Sequence, residues 1–146
     1  MKNFLLMLFI GLSIVSCGSD EEGDILSYIE ENNLTGFLET PEGVYYKIDN
    51  PGDETMKPKI GEITIVHYKG YYTDGEEFDN SYKRGQPFTT ELVNVIGGWR
   101  VGLPYYGEGG SGTIIIPPTL GYGDNPPSGI RENAILVFDI EILEVQ

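Results

Sequence analysis

The sequence predicts an α+β fold, an antiparallel β-sheet curled as a half-barrel about one short α-helix. Three observations lead there. Apolar and polar residues alternate along strand-length runs from Gly43 to Gln146. Asp74-Gly75 divides one of these runs as a tight turn, because Gly tolerates the positive φ that such turns need. Within the strand-rich region only residues 95–103 read as a helix, stopped by Pro104.

Taken in order, Met1-Lys2-Asn3 is a short positive start, residues 4–15 are an apolar run, and Ser16-Cys17 closes it. That run is too short to span a bilayer as a permanent helix and reads as a signal peptide. Ile14-Val15-Ser16-Cys17 resembles a bacterial lipobox, which implies cleavage before Cys17 and acylation of the new N-terminal Cys. The alternative is an ordinary secretory signal with an incidental Cys. Residues 18–24 are acidic and polar, a solvated tether by composition. They also resemble the surface-export signal of Bacteroidetes lipoproteins. The expected organisation is a signal peptide at 1–16, a lipidated Cys, acidic tether and short helix at 17–42, and a folded domain at 43–146. The address expected is the cell envelope, as an outer-membrane lipoprotein facing the periplasm or the surface.

Residues 24–33 place Ile25, Tyr28 and Ile29 at helical spacing and form a packing arm. Strands are expected at 44–48, 62–72, near 88–91, at 113–116 and at 134–145. Pro51-Gly52 and Lys57-Pro58-Lys59 mark turns between the first two. In the last strand Phe138, Ile140 and Ile142 point inward against Asp139 and Glu141, so one face is buried and the other wet.

Composition bounds the function. With 146 residues there is one domain and one core. Lys and Arg number 9 against 23 Asp and Glu, which argues against nucleic acid, since no basic patch exists to displace counterions. One Cys and one His leave neither a disulfide framework nor a multi-ligand Cys/His metal site. Residues 65–88 are more specific. They offer Tyr68, Phe78, Asp79 and Phe88, aromatic groups with one carboxylate, as a shaped apolar pocket for a small group. Alternation places Val66 and Tyr68 on one face and Ile65 and His67 on the other.

These elements and motifs together resemble the FKBP-type peptidyl-prolyl cis-trans isomerases. The matching pieces are Val66-His67-Tyr68-Lys69-Gly70, Asp74-Gly75 with Phe78-Asp79, Pro87-Phe88, Val95-Ile96-Gly97-Gly98-Trp99, Gly121-Tyr122-Gly123 and Leu136-Val137-Phe138-Asp139. The resemblance implies an FKBP-like fold and a pocket formed by Tyr68, Phe78, Asp79, Phe88, Val95, Ile96, Trp99, Tyr122, Ile130 and Phe138. It makes Trp99 the floor under a proline ring and Tyr68, Phe88 and Phe138 the walls. The Ile96 backbone N–H and the Tyr122 hydroxyl would hold substrate carbonyls, and Arg84 would pair with Asp79. Proline-containing polypeptides are the implied clients, a macrolide is a possible ligand, the lipid is the membrane attachment, and a monomer is expected. The sequence departs from the family at 124–131, with Pro126-Pro127-Ser128 where some members have a His. Arg131-Glu132-Asn133 also replaces the usual Pro-Pro approach to the final strand. The resemblance therefore reaches the pocket floor but not its rim.

The implied chemistry asks little of side chains. Rotation about X–Pro is slow because amide resonance must be broken, a barrier of about 18–20 kcal/mol. An apolar pocket raises the planar, charge-separated amide relative to the twisted one, and hydrogen bonds hold the twisted geometry. No nucleophile, metal or cofactor is needed. A second reading is a lipid-anchored, non-catalytic binding module of the same fold, serving an envelope complex such as gliding-motility or secretion machinery. Isolated aromatics in strands are more often core than pocket. His67 reads as structural, and Tyr71-Tyr72 and Tyr105-Tyr106 as partly exposed packing residues.

Overall fold

A computed structural model describes residues 19–146, with side chains from Asp24 onward. The proposed signal peptide and Cys17 lie outside the described residues. Strands β1 (Leu38–Glu39), β2 (Tyr45–Asn50), β3 (Ile63–Tyr72), β4 (Glu77–Asn80), β5 (Phe88–Glu91), β6 (Ser111–Ile116) and β7 (Leu136–Val145) form one sheet. Its order is β1-β2-β6-β7-β3-β4, with β5 also on β3, and every pairing is antiparallel.

The two ten-residue strands, β3 and β7, lie side by side at the centre. Their alternation sets the inner face: Val66, Tyr68 and Tyr72 from β3, with Leu136, Phe138, Ile140 and Ile142 from β7, are all buried in the main core. Ile114 and Ile116 of β6 join that face, while Ile115 between them is buried on the other. An apolar run with no alternation is thus explained by burial on both sides.

The outer face is covered by helix α1 (Ser19–Glu31), whose fully buried Ile25 packs with Tyr45, Ile115 and Val137. Tyr28 and Ile29 border the same cluster, so the predicted packing arm has its role. The helix begins earlier than expected, at Ser19, and takes up most of the acidic stretch read as a tether.

The inner face holds helix α3 (Gly97–Gly102). Close approach to the sheet depends on Gly98, where a Cβ would lie 2.3 Å from the Ile116 side chain. Here the expected helix needs correction. Its α-helical part is Gly97–Gly102, starting two residues later than expected and ending before Pro104 as expected, and a 3₁₀ turn, Leu103–Tyr105, follows with Pro104 inside. Proline is tolerated in a first turn because its missing N–H has no partner to lose.

A second correction is α2 (Ser81–Arg84), a helix beyond the single one anticipated in the sheet region. Its ends are built by Asn80, whose side-chain oxygen accepts the Tyr82 and Lys83 N–H groups, and by Gly85 at φ 75°. A third concerns tyrosines. Tyr72 is 2% exposed and Tyr106 fully buried, rather than partly exposed. The Tyr106 hydroxyl lies within hydrogen-bond reach of the Lys47 and Thr113 carbonyls, at 3.0 and 3.1 Å, which satisfies it in the core. Tyr71 and Tyr105 are half-buried, as expected. The turn after β3 forms as anticipated, with Gly75 at φ 86° and Gly75 N–H donating to the Tyr72 carbonyl at 2.9 Å.

Candidate active site

The open end between sheet and α3 is a cavity of about 390 Å³. Trp99, the third residue of α3 and only 4% exposed, lies in its lining with Tyr68 from β3 and Phe138 from β7. Phe88 at the start of β5 and Phe78 on β4 line it as well. The Trp99 ring meets Tyr68 at 5.0 Å and 87°, Phe138 at 5.3 Å and 83°, and Phe88 at 6.1 Å and 75° between ring planes. Three nearly perpendicular rings around one flat ring make a box with a floor, sized for a small cyclic aliphatic group. Edge-to-face contacts of this kind are favoured by ring quadrupoles. The Trp99 Nε1–H is buried without a hydrogen-bond partner in the protein, so this side chain is held by packing alone.

Space for the far wall depends on one glycine. A Cβ at Gly70, on the inward face of β3, would lie 2.7 Å from the Phe78 ring and 2.9 Å from Phe138. Gly70→Ala therefore forces both rings toward the cavity. The expected result is a loss of about 1–3 kcal/mol in stability, read by thermal melting, with weaker ligand binding.

One carboxylate enters the apolar lining. Asp79 accepts hydrogen bonds from the Tyr68 hydroxyl and from Arg84, and from the Asn80 N–H at 2.8 Å. Arg84 Nη2 also reaches the Tyr68 hydroxyl at 3.2 Å, and its guanidinium lies 5.4 Å from the centre of that ring. The local fold explains this geometry: β4 ends on Asp79-Asn80, Asn80 caps α2, and a single helical turn returns Arg84 to the acid. The same turn inserts Ser81, fully buried, whose Oγ accepts the Tyr68 N–H at 2.8 Å. His67 faces away, with Nδ1 2.8 Å from Ser81 Oγ and its ring stacked on Tyr82 at 4.3 Å. That orientation is the one the alternation predicted.

Burial, and secondly the hydrogen bond to Asp79, push the Tyr68 hydroxyl pKa up to about 12 from 10.0. A raised folded-state pKa contributes stability that is complete below the unfolded value and is lost as pH rises through the folded one. The stabilisation from Tyr68 is accordingly whole below pH 10 and falls away toward pH 12. Site activity should show no titration of Tyr68 between roughly pH 7.5 and 9.5, a range below its ordinary phenol value. A pH profile with an ionisation in that window that disappears in Tyr68→Phe would contradict this assignment.

The rim comes from two further segments. Val95 and Ile96 precede α3, and Tyr122 and Ile130 lie in the connection before β7. Tyr122 is 37% exposed, and its hydroxyl pKa is raised by burial and then by the negative field of Asp79. All ten residues expected to form the pocket line the cavity; Arg84 sits behind the acid instead of on the wall. Two lining residues were missed, Asn94 and Pro127. In the sequence Pro127 stands out only as a departure from the family in the loop, and nothing local marks Asn94.

An antiparallel half-barrel around a short helix, with an aromatic box at its open end, defines a class. Residues 54–143 match the family described as FKBP-type peptidyl-prolyl cis-trans isomerase, and the chain belongs to that family. It is similar to FKBP-type peptidyl-prolyl cis-trans isomerase FkpA of Buchnera aphidicola subsp. Schizaphis graminum, 49% identical over 116 residues, covering 79% of this chain and 46% of that protein. FkpA of Escherichia coli K12 is 43% identical over 104 residues, 71% of this chain and 38% of the relative. The chain thus spans about half the length, or less, of the curated relatives it matches. Among solved structures, the crystal structure of FkpA from Escherichia coli superposes with a TM-score of 0.78 at 38% identity, covering 88% of this chain and 61% of that one. AtFKBP13 superposes at 0.69 and 31% identity, covering 77% of this chain and all of that one. The FKBP-like fold expected from the sequence is the fold present.

Proposed function

We propose that the protein is a peptidyl-prolyl cis-trans isomerase acting on X–Pro bonds of polypeptides in the cell envelope. The observation that carries this reading is the Trp99 floor walled by Tyr68, Phe88 and Phe138 in near-perpendicular contact. A prolyl ring seated on the indole would leave its preceding amide beside Tyr68 and Asp79, out of bulk water. The planar amide, whose separated charge water stabilises, loses more there than the twisted amide does. Each tenfold gain in rate needs about 1.4 kcal/mol of that difference.

The remaining residues hold the twist. The Ile96 N–H and the Tyr122 hydroxyl would donate to carbonyls flanking the proline. Phe78, Val95 and Ile130 would complete the apolar lining. Asp79 would act by fixing the direction of the Tyr68 hydroxyl, and Arg84 by fixing Asp79. A protease-coupled assay on a peptide with an apolar residue before proline tests the reading. Catalysed exchange is expected, and a rate equal to the uncatalysed one from folded protein would leave only the binding-module role.

The N-terminal organisation is part of the same proposal: a signal peptide at 1–16, Cys17 as acceptor of the lipid, and an isomerase domain from Gly43. Among the described residues no helix is long and apolar enough to cross a membrane. Several acyl chains, each contributing about 0.8 kcal/mol per buried CH₂, would give a lasting anchor. Cys17→Ala is expected to abolish lipid labelling and release the protein from membranes. A processed, lipid-labelled Cys17→Ala product would contradict the anchor.

A further inference from the structure

The pocket rim is held from outside the pocket. Residues 121–133 carry Tyr122, Pro127 and Ile130 over the cavity. At the start of this loop the Gly121 N–H lies 3.0 Å from the Pro117 and Pro118 carbonyls, and Asn133 N–H closes the loop on the Gly123 carbonyl at 2.7 Å. Arg131 ties the loop to the sheet. The Arg131 backbone N–H donates to the Tyr72 hydroxyl at 3.0 Å, and its guanidinium lies 4.2 Å above the Tyr72 ring. Nη1 donates to Asp74 at 2.7 Å and Nη2 to Glu76, two acids within the turn between β3 and β4. Tyr72 in turn packs against Phe78, a wall of the pocket, at 4.9 Å between ring centres. Rim and wall therefore share one support.

We propose that Arg131 is a positioning residue: by clamping the rim loop to Tyr72, Asp74 and Glu76 it sets how tightly the pocket binds the chain around a proline. This rests on the isomerase reading of the pocket. Arg131 bonds to Tyr72, Asp74 and Glu76 and not to Trp99, Tyr68 or Asp79. A closed loop presents Tyr122 to the twisted amide as in the parent, so the clamp sets the fraction of molecules that bind. A loop that keeps the backbone bond to Tyr72 but loses the guanidinium ties closes over substrate in only a fraction of molecules, and apparent affinity falls by that fraction. Exposed ion pairs contribute little to global stability, so the effect stays in the loop, whose own opening is governed by few contacts. Lysine cannot substitute, because bridging two carboxylates while stacking on a ring requires the planar fork of a guanidinium.

The test is Arg131→Gln and Arg131→Lys, each with two measurements. For an X–Pro peptide, KM is expected to rise roughly three- to tenfold with kcat within about twofold of the parent, in both variants. Hydrogen exchange of the 121–133 amides should accelerate by a similar factor, with β3 and β7 amides unchanged. Unchanged exchange in the loop, unchanged KM, a fall in kcat at constant KM, or full rescue by Lys would each overturn the proposal. Faster exchange throughout the sheet would also overturn it, by making Arg131 an ordinary stability contact. If the parent protein proves to lack isomerase activity, that reading alone fails, and peptide affinity in place of KM, with loop exchange, still decides the clamp.

Discussion

Trp99→Ala should destabilise the protein by about 3–5 kcal/mol and remove isomerase activity with it, since truncating a large buried aromatic loses both transfer energy and packing. The indole has three perpendicular ring neighbours and no hydrogen bond of its own, so all of its contribution lies in those contacts. Because it is the only Trp, its removal also eliminates the intrinsic indole fluorescence; chemical denaturation followed by circular dichroism is the appropriate measurement. A denaturation midpoint equal to the parent's would mean that the box holds itself together without its floor.

Asp79→Leu should separate function from folding. Its carboxylate and the Arg84 side chain are each about 40% exposed, so solvent screens the pair and its loss should cost about 1 kcal/mol or less. Activity should fall much further, by about ten- to a hundredfold, because the Tyr68 hydroxyl loses the acceptor that aims it in a water-poor site. The comparison needed is kcat/KM against melting temperature for the same preparation. Activity that falls only in proportion to folded protein would return Asp79 to a structural role.

Much of this site could be read from the sequence because its parts obey short-range periodicity. Alternation in β3 and β7 placed Tyr68 and Phe138 on the inner face, and a single Trp at the foot of a short helix had few alternatives. The same alternation places Tyr72 beside Val66, Tyr68 and Gly70, so its burial was available and was overlooked. Helix α2 was missed because four residues carry no periodicity, although Asn80 and Gly85 are the residues that cap a helix. What sequence could not supply were contacts between distant segments. The Tyr106 hydroxyl is satisfied 59 positions away at Lys47, and Arg131 meets Asp74 and Glu76 across 57 and 55 positions. The supports of the rim loop fall in this second group, whereas its pocket residues Tyr122 and Ile130 came from the family resemblance and not from periodicity.

The proposed function requires an aromatic box with one hydrogen-bonded acid to accelerate rotation about a prolyl amide. Exchange spectroscopy on a peptide containing Phe-Pro, with and without the protein, measures that rotation with no coupling enzyme. Cis/trans exchange cross-peaks are expected to build up faster with the parent protein and to return toward the free-peptide rate with Asp79→Leu at equal occupancy. A peptide that binds the folded parent protein while exchanging no faster than it does free in solution would contradict it.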